Sequence, residues 1–192
     1  HDTSAAAMAR APDAIALANG VLDRLGIAAP ADGPGAISFH ATLADTVAGA
    51  DLVIENVPEK LEIKAAVYQA LGDLVTPETI VASDTSGLPI TALQAHFAYP
   101  AQLVGMHWSN PPHIIPMIEV ISGAKTDPAV AQTVVALIRQ LGLLPVVVAK
   151  DVPGFVENRI LYAVLREAID LVEQGVNGYL VETSKKPDGG FR

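Results

Sequence analysis

Four residues in this chain have side chains suited to moving a proton and holding an oxygen: His107, Glu119, Ser86 and Asn158. His107 ends the strand-like run LVGM and is followed by Trp108, Ser109 and, after Asn110, two prolines, which puts its ring at a strand mouth held by a stiff loop. An imidazole titrates near neutrality and takes a hydroxyl proton while hydride leaves the same carbon. Read alone, a strand-end histidine is more often a hydrogen-bonded structural residue. Glu119 shifts that balance, because it lies inside MIEVI between Ile118 and Val120, where an unpaired carboxylate is costly. It must reach the rim or meet a cation, and His107 is the natural partner, since a carboxylate orients an imidazole and favours its cationic form. The other reading is a carboxylate on an exposed edge strand.

Ser86 and Asn158 offer the neutral donors that a carbonyl oxygen becoming an alkoxide requires. Each has a plainer reading. Ser86 in SDTSGLPI is also placed to cap a helix beginning near Pro89, and Asn158 to sit on a helix surface. Glu59 and Lys64, five apart after a strand, either touch a cofactor or decorate a helix start, and the residues by themselves favour decoration. Asp84 and His113 read as structural loop residues.

The elements that must position these groups follow from periodicity. A helix is predicted from Thr3 to about Leu25, kinked or broken at Pro12, followed by the loop GIAAPADGPG and a short strand from Ala36 to His40. After a brief helix in ATLADTVAGA, strands and helices alternate: DLVIENV, EIKAAVYQALGDLV, TIVASDTS, PITALQAHF. The strand QLVGMHWS, the loop NPPHIIP, the strand MIEVI, a helix from about Asp127 to Leu141 and the strand LPVVVA complete the pattern. Repeated β–α of this kind gives an α/β fold with a mainly parallel sheet and helices on both faces. Strand ends on one rim bring distant loops together. The turn KDVPG then opens a long helix, ENRILYAVLREAIDLVEQG, with Pro153 in its first turn and a stripe of Leu161, Val164, Leu165, Ala168 and Val172 in need of cover. It is read as the first helix of an all-α domain, dividing the chain into 1–150 and 151–192, with a polar tail.

The balance of 21 acidic against 12 basic residues gives a net charge of −9, which disfavours nucleic acid and anionic membranes as partners, and an anionic substrate would need a local basic patch. The absence of cysteine excludes disulfides, thiolate catalysis and cysteine-held metals and fits a cytoplasmic protein; no metal site is read from the remaining residues. No segment reads as a signal peptide or a membrane span.

The stretches ADLVIENVPEKLEIK, ASDTSGLPI, GMHWSNPPHIIPMIEVI and DVPGFVENRI, in that order and spacing, resemble the 3-hydroxyacyl-CoA dehydrogenase family from about Asp51 to Val176. The resemblance implies a Rossmann-like NAD-binding domain and the NAD-dependent oxidation of an L-3-hydroxyacyl-CoA to the 3-ketoacyl-CoA. It implies His107 as general base, Glu119 as its partner, and Ser86 and Asn158 on the substrate oxygen. It sets Glu59, Lys64 and Ser86 along the cofactor, reversing the decorative reading, and a homodimer through the helical domain. Asp2, where a second strand would end, is the candidate for the ribose hydroxyls.

Three departures bear on this. The family's Ser-Asn-Thr-Ser-Ser stretch is here Ser83-Asp84-Thr85-Ser86-Gly87, and the aromatics that often follow the histidine are Trp108 and Ser109. No G-x-G-x-x-G turn occurs in the sequence, and a sheet lacking the strand before that turn is expected to have a gap near its centre with unpaired backbone groups. Related dehydrogenases of gulonate or carnitine type, and a non-catalytic scaffold, are the competing readings.

Overall fold

The computed structural model describes residues 1–27, 33 and 35–176; most of the loop GIAAPADGPG and all of the polar tail lie outside the described residues. Six helices are described: α1 (Ala5–Arg24), α2 (Leu43–Val47), α3 (Leu61–Leu74), α4 (Ile90–Leu93), α5 (Pro128–Gln140) and α6 (Glu157–Glu173). Five strands, β1 (Leu52–Glu55), β2 (Ile80–Ser83), β3 (Leu103–Trp108), β4 (Met117–Ser122) and β5 (Leu144–Val148), form one sheet in the order β1-β2-β3-β4-β5. Neighbours run parallel except β3 and β4, which the short proline loop joins in antiparallel sense.

Both faces of this sheet are covered, as the unbroken apolar runs demand. Leu103 and Ile121 face Tyr68 and Leu71 of α3 and Ile90 and Leu93 of α4. Val104, Met106, Ile118 and Val120, on the other face, meet Val130, Val134 and Ile138 of α5. Because side chains alternate along a strand, Leu103, Gly105 and His107 share one face, and the register sets His107 directly opposite Glu119.

Several local expectations are corrected. Ala36 to His40 is extended but forms no strand: no described strand lies beside it to complete a ladder, Ile37 is 62% exposed, and the His40 carbonyl accepts instead from the His1 ring. Helix α1 continues through Pro12 without a break, and none of its residues is buried. The stretch after Pro89 is a single turn, α4, continued by a 3-10 turn over Gln94–His96. Its cap is not Ser86 but Asp151, whose two carboxylate oxygens accept from the Ile90 and Thr91 N–H groups at 2.9 and 2.7 Å. Pro153 precedes α6 by a full turn, since the backbone donors of Val156 and Glu157 are taken by Glu119 and fix the helix start there.

No gap opens inside the sheet either. The five strands are contiguous, and β1, with Ile54 45% exposed, is an edge.

The centre of the sheet is packed against backbone at Gly105. A Cβ there would stand 2.9 Å from Ile90 Cδ1 and 3.0 Å from Ile121 Cβ, with no room to yield on the strand side. Gly105→Ala is therefore expected to lower stability by about 1–3 kcal/mol, measured by thermal or urea denaturation, whereas a neutral effect would contradict the packing described.

Candidate active site

The antiparallel register of β3 and β4 sets an imidazole against a carboxylate in the sheet interior. His107 Nδ1 lies 2.8 Å from Glu119 Oε2, with His107 6% and Glu119 0% exposed. The second carboxylate oxygen, Oε1, accepts from the backbone N–H groups of Val156 and Glu157 at 2.9 and 3.0 Å. Glu119 thus spends its charge on the histidine and on the N-terminus of α6, where a helix favours an anion. This arrangement fixes the ring, and the edge-strand reading of Glu119 does not hold. Phe155, buried with a positive φ of 47°, presses its ring to within 5.8 Å of the imidazole. Nε2 has no hydrogen-bond partner among the described residues.

Ser86 and Asn158 meet across the loop after β2 and the first turn of α6. Asn158 Nδ2 donates to the Ser86 carbonyl at 2.9 Å, and the Ser86 side chain is exposed. Glu59, from the loop after β1, reaches the same place. Its Oε1 accepts from the Thr85 hydroxyl and from the N–H groups of Ser86, Gly87 and Leu88 at 3.1, 2.9 and 3.2 Å. It shapes the Ser86 loop from beneath. Lys64 is turned inward, 1% exposed, with Nζ 2.7 Å from Glu55 Oε1 and 3.5 Å from Glu59 Oε2. Its ammonium thus links the buried Glu55 to Glu59. Asp2 is exposed and accepts from the Ser4 N–H at 2.7 Å, ahead of α1 and away from these residues in chain and in contact.

Glu55 and Glu157 escaped the sequence reading, which named Asp84 only as a structural loop residue. Glu55 is a second buried carboxylate: Oε1 accepts from Val57 N–H and Lys64, and Oε2 from the hydroxyls of Tyr68 at 2.6 Å and Ser83 at 2.8 Å. Burial and the neighbouring Glu55 charge push the Tyr68 hydroxyl well up, so it serves as a fixed donor. Asp84 accepts from the Trp108 N–H at 2.8 Å, and burial raises its carboxyl against the pull of that bond and of His107. Glu157 Oε2 accepts from the Ser109 hydroxyl at 2.6 Å and lies 4.0 Å from His107 Nδ1. The signal available for Glu55 was the one used for Glu119, a carboxylate inside an apolar strand.

A mainly parallel sheet covered on both faces, with polar loops gathered at one rim around an oriented imidazole, defines a dinucleotide-binding domain of Rossmann type. Residues 1–152 match the NAD-binding domain of 3-hydroxyacyl-CoA dehydrogenase. The chain belongs to the 3-hydroxyacyl-CoA dehydrogenase family. It is 62% identical over 176 residues to a 5-formyl-3-hydroxy-2-methylpyridine 4-carboxylate 5-dehydrogenase of Mesorhizobium japonicum, covering 92% of this chain and 57% of that protein. It is 44% identical over 142 residues to a probable 3-hydroxybutyryl-CoA dehydrogenase of Deinococcus radiodurans, covering 74% and 50%. A crystal structure of a 5-formyl-3-hydroxy-2-methylpyridine 4-carboxylic acid 5-dehydrogenase, described as an NAD+ dependent dismutase, superposes with a TM-score of 0.87 at 56% identity, over 98% of this chain and 65% of that one. The chain thus spans about half the length of the curated relatives it matches.

The residues present fit the reacting end of NAD, with an unpartnered imidazole nitrogen and the exposed Ser86 loop near the strand ends. The glycine turn that cradles a diphosphate is not among the 192 residues.

Burial works against the Glu59 charge, but the Thr85 hydroxyl, the Gly87 and Leu88 N–H groups and Lys64 outweigh it and hold the carboxyl below its ordinary value. A carboxyl lowered on folding adds stability above its unfolded value, and that stability is lost as pH falls through the folded one. Melting temperatures of the wild type and Glu59→Gln should therefore differ most near neutrality and converge in acid, with Glu59→Gln the less stable; parallel curves would contradict this account.

Proposed function

We propose that the complete protein is an NAD-dependent dehydrogenase in which His107 removes a hydroxyl proton as hydride leaves the carbon bearing it. The observation that carries this reading is the 2.8 Å contact of His107 Nδ1 with buried Glu119, which leaves Nε2 to face a substrate. NAD, when bound, accepts the hydride. Glu119 keeps the ring in one orientation and offsets the positive charge it gains. Ser86 and Asn158 border the place where the substrate oxygen would lie, and Glu59 supports the Ser86 loop. The scaffold reading gives no reason for burying this pair.

For the substrate, the reading favoured is a small aromatic aldehyde bearing a carboxylate, the class that the name of the Mesorhizobium relative gives for that protein, and we propose that it reacts as its hydrate. One hydrate hydroxyl gives its proton to His107, the carbon loses hydride, and the product is a carboxylic acid. Two features support an anionic substrate in a chain of net charge −9. A cleft of about 560 Å³ runs from Gly154 and Asn158 along α6, and Arg159 and Arg166 line it. Neither arginine forms an ion pair among the described residues.

The second reading is L-3-hydroxyacyl-CoA oxidation, favoured by the Deinococcus relative. We further read 1–150 as the cofactor domain and 151 onward as the start of a helical domain. The rest of that domain would cover Ile160, Leu161 and Val164, which stand 61, 49 and 61% exposed on α6, and pair two subunits.

In the full-length protein, His107→Ala should lose about a thousandfold in turnover with NAD affinity little changed, and near-normal turnover would refute the role. Arg166→Ala should raise KM for a carboxylated aldehyde about tenfold at similar kcat. Reduced-nicotinamide formation with 3-hydroxyacyl-CoA but not with the aldehyde would establish the second reading instead.

A further inference from the structure

We infer that Glu157, locked by Ser109, is a second carboxylate partner of His107, a positioning residue that stabilises the imidazolium formed when the base takes its proton. The inference rests on the reading of His107 as base. Glu157 enters α6 with its backbone N–H on Glu119 Oε1, so its place beside the pair is set by the same carboxylate that holds the ring. Its own Oε2 stands 4.0 Å from His107 Nδ1, and the buried Ser109 hydroxyl, 2.6 Å away, keeps it there.

The charged and titratable groups facing the imidazole come from three elements. Glu119 lies on β4, Glu157 on α6, and Asp84 in the loop after β2, where it holds the Trp108 N–H. Glu119 is hydrogen-bonded to the ring, and burial disfavours the Asp84 charge. Glu157 keeps its side chain 28% exposed while its Oε2 lies 4.0 Å from Nδ1. Opposite charge at this distance favours the charged form of the ring. Phe155, buried and with its ring centroid 5.8 Å from that of the imidazole, contributes apolar surface only.

Glu157→Gln keeps the size and a hydrogen bond to Ser109 but removes the charge. The test follows the His107 ring by nitrogen-15 NMR, and kcat/KM by reduced-nicotinamide formation, both against pH in the full-length protein. Removal of the charge should move the ring's titration midpoint, and the acid-side fall of kcat/KM, to lower pH by about one unit. Ser109→Ala, which frees Glu157 without discharging it, should give a smaller shift of the same sign, and Glu157→Asp should recover part of the effect. A ring midpoint unmoved in Glu157→Gln, or in Ser109→Ala should the first variant not fold, overturns the inference whatever happens to turnover. A ring midpoint that moves while the kcat/KM profile stays fixed leaves the coupling standing and refutes His107 as the base.

Discussion

A carboxylate buried without compensation costs more than a domain of this size can spare, and Glu119 is compensated three times over. One bond goes to the imidazole of the neighbouring strand and two to the first donors of α6. Each partner is thereby placed. The ring of His107 is held by its Nδ1, the helix begins at Glu157 rather than at the preceding proline, and Phe155, with a positive φ, sets its ring at a tilt beside the histidine. One side chain thus joins the sheet to the helix that leaves it.

The chain solves the same problem a second time at Glu55, with different partners. There an ammonium, a phenol, a serine hydroxyl and the Val57 N–H surround the carboxylate, four donors for its four lone pairs. The contrast is chemical. Glu55 is enclosed by hydrogen-bond donors, whereas Glu119 faces an imidazole, a group suited to proton transfer. Two buried carboxylates on one sheet therefore take different parts, one holding β1, β2 and α3 together and one holding a group that can react.

The strands and the longer helices were legible because apolar runs and 3.6-residue stripes survive any detail of packing. Glu119 was legible as well, since a charge amid Met117, Ile118, Val120 and Ile121 demands an explanation. The Glu55 cluster was not, although it obeys the same logic. Its partners Lys64 and Tyr68 look like the solvent face of α3 until the sheet is in place, and each proves to be at most 1% exposed. The strand expected at 36–40 failed for a related reason, because extended backbone becomes a strand only when another chain segment completes its hydrogen bonds. Glu157 and Ser109 gave no periodic signal, being single polar residues at element ends.

Asp151 has a consequence for the order in which the molecule assembles. The four residues of α4 carry no local cap, and the carboxylate that satisfies their free donors arrives from about sixty residues further along. So short a helix has no stability of its own. During synthesis the first donors of α4 therefore stay without this carboxylate until Asp151, just past β5, has emerged.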